Sequence, residues 1–201
     1  MKNPRTKIKK TDNSYFLGKV KLREKMIQNL DTVRVLDLYA GTGKIWKTIQ
    51  KRNKDKKIIV TSVEKEKGKN PDAIEGDSLK IIPGLDLSVY DLIDLDVYGH
   101  PYYPLKAIVK NGSYKDNVII TMTDIQVGYG GIPLEILTKI NFTKKQIKKI
   151  PTMFYKFELD AMLNYLYNLG VKKVILYRPV PNKKYMGCRL PKKGENHEHN
   201  L

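Results

Sequence analysis

The chain has 201 residues, 41% of them hydrophobic and 29% charged, a mixture that suits one folded α/β domain rather than a disordered or membrane chain. Lys and Arg number 38 against 21 Asp and Glu, a formal net charge of +17; such a surface attracts polyanions, so nucleic acid is the expected partner rather than a neutral small molecule. Cys188 is the single cysteine, which excludes an intrachain disulfide and a cysteine zinc cluster and makes a reducing cytoplasm the expected compartment, with no metal.

One domain is expected over residues 14–193, with a basic tail at 1–13 and a polar tail at 194–201. No run of 18 apolar residues occurs, so membrane insertion is not expected. Residues 14–30 carry Val20, Leu22, Met26, Ile27 and Leu30 at partly helical spacing and predict a helix leading into the first strand. Short β-branched runs then alternate with more polar stretches. Strands are predicted at 33–38, 57–63, 73–75, 90–95, 117–123 and 171–177, with a weaker one at 185–190 as a last, antiparallel edge. Helices are predicted at 43–52, near Leu79, at 101–110 and at 155–169, the last with Phe157, Met162, Leu163, Leu166 and Leu169 as its apolar stripe. Strands alternating with helices give an α/β, Rossmann-like architecture: a mostly parallel sheet of about seven strands covered on both faces.

Between the first strand and the next helix stands Asp37, Leu38, Tyr39, Ala40, Gly41, Thr42, Gly43. A glycine turn at this point lets a ligand approach the backbone and meet the free amides of a helix N-terminus. A phosphate loop of the Walker type needs glycine where Leu38 stands and Ser or Thr where Ile45 stands, and a dinucleotide fingerprint needs glycine in place of Trp46. Both are excluded or weakened by those residues. The stretch VLDLYAGTG, Val35 to Gly43, instead resembles the S-adenosylmethionine loop of the class I methyltransferases.

That resemblance implies roles for later carboxylates. Glu64 closes the second strand, where similar enzymes bond both ribose hydroxyls of the cofactor, and Asp77, followed by Ser78, stands where they bond the adenine amino group. Carboxylates suit both tasks because each offers two acceptor oxygens to neutral donors. Asp37, Tyr39, Ala40, Gly41, Thr42 and Gly43 complete the implied cofactor loop. A looser likeness of YFLGKVK, residues 15–21, to the segment preceding the cofactor loop in some adenine-N6 DNA methyltransferases adds Phe16 and Gly18 as cofactor contacts.

The fourth strand reads YDLIDLDVYGHP and places Asp94 and Asp96 on one face, at the strand end where open α/β sheets bind ligands. Asp96 is the candidate acceptor for the N–H of an attacking amine, Asp94 a second carboxylate that positions the cofactor or shapes the pocket, and Tyr98 a platform for an unstacked base. His100, before a proline, reads as structural. Gly128, Tyr129, Gly130 and Gly131 suggest a lid or a plain turn. DLDVYGHP, with TMTD at 121–124, resembles the DxDPFGxP and TxTD segments of the tRNA guanine N2-dimethyltransferase family, although Val97 replaces a proline and Tyr98 a phenylalanine. The expectation is an S-adenosylmethionine-dependent methyltransferase acting on an exocyclic base amine, RNA favoured over DNA. A DNA amino-methyltransferase, a binding protein keeping the fold without turnover, and an enzyme acting on protein or small molecules stand as alternatives.

Overall fold

A computed structural model describes residues 15–125, 143–149, 151–180 and 182–192. Helix α1 (Phe16–Ile27) leads into β1 (Thr32–Asp37), followed by α2 (Lys44–Arg52), β2 (Lys57–Glu64), the two-residue β3 (Ile74–Glu75) and the short α3 (Ser78–Ile81). Two 3₁₀ turns precede β4 (Leu92–Leu95), α4 (Tyr102–Asn111) and β5 (Val118–Ile125). Helices α5 (Lys144–Lys149) and α6 (Pro151–Asn168) come next, then β6 (Val174–Val180) and β7 (Lys183–Leu190).

The strands form one sheet in the order β3-β2-β1-β4-β5-β7-β6. The first five pair in parallel, and β7 runs antiparallel to both neighbours. The class and the strand count match the sequence expectation. One placement does not: the last strand is antiparallel but not an edge. It lies between β5 and β6, with Tyr185, Met186, Cys188 and Leu190 all buried. The edge falls to β6, which leaves Leu176 and Tyr177 exposed. The two strands are a hairpin joined between Val180 and Lys183, so β7 inherits the partnered position once β6 has passed outside it. That choice depends on pairing at long range, and residues 183–190 do not encode it locally.

Strand alternation divides the core in two. Leu36, Ile93, Ile120, Met122, Met162 and Leu166 share one cluster, with the face covered by α4 and α6. Val35, Leu92, Ile119, Val20, Ile27 and Trp46 share the other, beneath α1 and α2. Each fully buried aliphatic residue contributes about 1.5–3 kcal/mol through removal from water. The predicted stripe of α6 is half realised: Met162 and Leu166 are buried, whereas Leu163, Leu169 and Phe157 are only partly covered. Helix α1 is the exception to apolar burial, since its inward face includes Lys19 and Arg23 beside Val20, Leu22 and Ile27. The predicted tails and the Gly128–Gly131 segment lie outside the described residues.

Candidate active site

A cleft of about 540 Å³ opens at the C-terminal ends of the parallel strands, lined by residues of the β1–α2 turn, the ends of β2 and β4, and the start of α3. That volume is in the range of small-molecule sites, about 300–1,000 Å³. Tyr39, Ala40, Gly41, Thr42, Glu64, Asp77, Ser78, Asp96 and Tyr98 all line it, as expected from sequence.

The turn is built for close approach. Gly41 has φ of 55° and Gly43 of 72°, both in the left-handed region that glycine enters without a Cβ penalty. At Gly41 an added Cβ would meet no atom within 4 Å, so this backbone faces open cleft. Glu64 is held by two amides, Gly41 N–H donating at 2.7 Å and Glu66 N–H at 2.9 Å. A carboxylate has about four acceptor positions, which leaves capacity for two hydroxyl donors. Asp77 accepts from Leu79 N–H at 3.1 Å, capping α3, and from Lys65 Nζ at 2.8 Å. The Lys65 bond is the main reason its carboxyl lies below the ordinary range. The Ser78 hydroxyl donates to the Leu38 carbonyl.

Behind the cleft floor, a charged cluster joins α1 to the sheet. Asp37 and Asp94 face each other across β1 and β4, and Asp94 pairs with Thr121 across β4 and β5. The Asp94 carboxylate accepts Arg23 Nε and Nη2 at 2.6 Å each, Trp46 Nε1 at 2.8 Å and Thr121 Oγ1 at 3.0 Å. It is 0% exposed. The sequence assignment of Asp94 to ligand contact is therefore corrected: a carboxylate with a two-pronged guanidinium bond and two further donors is an anchor beneath the site. Burial, with the Asp94 charge next in weight, pushes Asp37 well above the ordinary range. Arg23 and Lys19 stand against the Asp94 and Asp96 carboxylates.

Asp96 stands one step past the strand end, its side chain 13% exposed toward the cleft. Lys19 Nζ lies 2.9 Å from Oδ1 and 3.0 Å from Oδ2, and Thr123 Oγ1 donates to Oδ1. Burial alone would raise this carboxyl, but Arg23 and Lys19 together hold it below the ordinary range. Tyr98 is 72% exposed at the rim.

On the opposite face of the sheet lies a second cluster. His100 Nδ1 sits 2.7 Å from Asp124 Oδ1 and 3.1 Å from Glu158 Oε1. Lys184 Nζ donates to Glu158 and lies 3.8 Å from Asp124. Burial would lower His100, yet its bonds to Asp124 and Glu158 raise it to about 9. His100, Asp124 and Glu158 bring ligand-type atoms within 4.8 Å of one another, a grouping open to a cation. His100 and Lys184 both stand within ion-pair distance of its two carboxylates. These contacts explain why DLDVYGHP and TMTD occur together: Thr121 serves Asp94, Thr123 serves Asp96, and Asp124 serves His100.

The remaining predicted contacts are not among the residues that line the cleft. Gly43 starts α2, with Asn70 and Lys47 each 3.3 Å from where a Cβ would sit. Asp37 belongs to the buried cluster. Gly18 lets α1 approach β6, since an added Cβ would come within 2.3 Å of the Tyr177 ring. Phe16 packs against the α1/α2 core with Lys44 Nζ 5.0 Å from its ring centroid. Sequence reasoning missed Lys19 and Arg23; their i, i+4 spacing on a helix with Val20 and Ile27 was the available signal.

No protein-family model matches the chain and no curated protein sequence does either. Solved structures match in three dimensions. A candidate methylase of Haemophilus influenzae superposes with a TM-score of 0.52 at 13% identity, over 87% of this chain and 88% of that one. A protein of Pyrococcus horikoshii gives 0.52 at 15% identity over 93% and 94%. A candidate class I S-adenosylmethionine-dependent methyltransferase of Listeria monocytogenes gives 0.51 at 12% identity, covering 90% of this chain, which spans 60% of that one's length. The fold is that of the class I methyltransferases. Within the class I fold, the cleft above Gly41 opens over the C-terminal strand ends, the side where open α/β sheets receive ligands. No helix among the described residues is long and apolar enough to cross a membrane.

Proposed function

We propose that the protein transfers a methyl group from S-adenosylmethionine to an exocyclic amine of a nucleic-acid base, with RNA the favoured polymer. The observation that carries the reading is one cleft joining a cofactor-type cradle, Gly41 with Glu64 and Asp77, to an ionised carboxylate at Asp96.

The cradle fits the cofactor on its own geometry. Gly41 offers open backbone, and Glu64 keeps acceptor capacity beyond its two amide bonds. Asp77, at the far wall, suits an amino donor. When bound, S-adenosylmethionine supplies a sulfonium methyl that a nitrogen lone pair takes as the carbon–sulfur bond breaks.

Asp96 acts on the acceptor. Held ionised, it takes a hydrogen bond from the amine N–H and fixes the nitrogen in line. The aminium formed on an exocyclic base nitrogen is a far stronger acid than a carboxylic acid, because losing its proton restores conjugation of the nitrogen with the ring, so Asp96 can receive the proton shed after transfer. Tyr98 presents an exposed ring on which an unstacked base can lie. Lys44, Lys65 and Lys69 line the same cleft, and the net charge of +17 favours a phosphate backbone around it. RNA is favoured over DNA by the DLDVYGHP and TMTD resemblance alone.

The test is transfer of tritiated methyl groups to total RNA and to genomic DNA at low salt, beside an Asp96→Asn variant. Incorporation into RNA, lost in the variant and reduced as salt rises, is the expected result. Incorporation into DNA alone transfers the reading to a DNA amino-methyltransferase, and none into either polymer by a protein that binds the cofactor refutes it.

A further inference from the structure

The floor of the cleft holds a donor directly beside the carboxylate. Lys19 and Asp96 both line it, with the ammonium nitrogen 2.9 and 3.0 Å from the two carboxylate oxygens. Lys19 is only 7% exposed, and its place is set from several sides. Its backbone carbonyl accepts Arg23 Nη1 at 3.0 Å, and its ammonium lies 5.6 Å from the centroid of the Tyr185 ring. Arg23 in turn ties this turn of α1 to Asp94. An ammonium has three hydrogens and no lone pair, so here Lys19 is always a donor, while ionised Asp96 is always an acceptor.

Two adjacent groups of opposite sense, about one hydrogen-bond length apart, match the spacing of neighbouring contacts on the edge of a planar base. The sense of the pair discriminates between bases. In adenine the N6 amino group adjoins N1, and in cytosine the N4 amino group adjoins N3; both ring nitrogens are unprotonated acceptors. In guanine the N2 amino group adjoins N1–H, a second donor, which would confront the ammonium. Guanine's other neighbouring nitrogen, N3, lies on the sugar edge, so a contact there would also have to accommodate the ribose.

We propose that Lys19 is a specificity-determining residue and that the acceptor is a base whose amino group adjoins an unprotonated ring nitrogen, adenine or cytosine, rather than guanine. The inference rests on the reading of the acceptor as a base amine, and it departs from the guanine N2 chemistry that the motif resemblance implies. A mismatch of this kind leaves a buried donor against a donor, the type of defect by which polar sites reject analogues.

The experiment uses oligouridylates carrying a single adenosine, cytidine or guanosine, since uridine has no exocyclic amine. Labelled methyl transfer into the adenosine or cytidine oligomer is expected to exceed that into the guanosine oligomer by about tenfold or more. Lys19→Met is expected to collapse that ratio, and Lys19→Arg, which keeps the donor, to retain most of it. Circular dichroism establishes that each variant is folded, and the ranking by the unaltered protein stands even if Lys19→Met fails to fold. Equal or greater labelling of the guanosine oligomer overturns the inference and leaves the base-amine reading intact, as does an undiminished ratio in folded Lys19→Met. Labelling of none, by protein that binds S-adenosylmethionine and labels neither total RNA nor genomic DNA, overturns the base-amine reading and the inference with it.

Discussion

Replacing Arg23 with Met tests whether the buried pair beneath the floor organises this part of the molecule. In the intact protein the guanidinium gives two bonds of 2.6 Å to Asp94, one of 3.0 Å to the Lys19 carbonyl, and lies 3.8 Å from Asp96. Met fills similar volume but leaves Asp94, among the described residues, with Trp46 and Thr121 as its side-chain donors. Removing one partner of a fully buried ion pair costs about 3–5 kcal/mol, because the other charge stays buried. Against a total stability of about 5–15 kcal/mol this is a large fraction, and it corresponds to a fall in Tm of about 6–20 °C for a chain of this size. Urea unfolding followed by far-ultraviolet circular dichroism and by the fluorescence of Trp46, the single tryptophan, gives the value. Asp94→Asn should cost a similar amount, and the double variant much less than the sum, with a coupling of about 2 kcal/mol or more. A loss below about 1 kcal/mol in Arg23→Met, or simple additivity in the double variant, refutes the reasoning.

His100 makes stability depend on pH. Its folded value, raised from 6.5 to about 9, means that the charged form is favoured on folding, so the contribution is fully present below about pH 6.5 and is lost as pH rises through 9. The free energy of unfolding should fall across that window by up to about 3 kcal/mol, and His100→Gln should flatten the slope; an unchanged slope in that variant assigns the effect elsewhere. At Gly41, valine adds no clash, since no atom lies within 4 Å of the new Cβ. It must adopt φ of 55° at a cost of about 1–2 kcal/mol, and its methyl groups enter the cleft. Gly41→Val should stay folded and bind S-adenosylmethionine about tenfold more weakly or worse by titration calorimetry; unimpaired binding would move the cofactor away from this turn.

The architecture was legible because its signals are local. Alternating runs and a glycine turn at Gly41 and Gly43 dictate strand, loop and helix without reference to distant residues, and carboxylates at strand ends mark the ligand side of such a sheet. The residues singled out in this way, Asp96 from the strand end and Glu64 and Asp77 from the methyltransferase resemblance, all line the cleft. Asp94 was misjudged by the same rule. Period-two alternation puts it on the Asp96 face, but only the last residue clears the strand and reaches the cleft, whereas Asp94 stays under α1.

Lys19 and Arg23 show the opposite failure. In sequence they are two more cations in a chain of 38 Lys and Arg, and their i, i+4 spacing beside Val20 and Ile27 is a local hint that does not by itself separate an inward charge from a solvated one. The sequence by itself determined the seven strands in chain order, the glycine turn after the first of them and which residues alternate onto each face. Tertiary structure alone decided which of those charges would meet: partners 71 and 77 residues apart, Arg23 with Asp94 and Lys19 with Asp96, found each other because α1 docks on the face where both carboxylates emerge. The position of β7 was decided in the same way, by strand pairing across the sheet, since burial of a charge or an edge is a property of what packs against it.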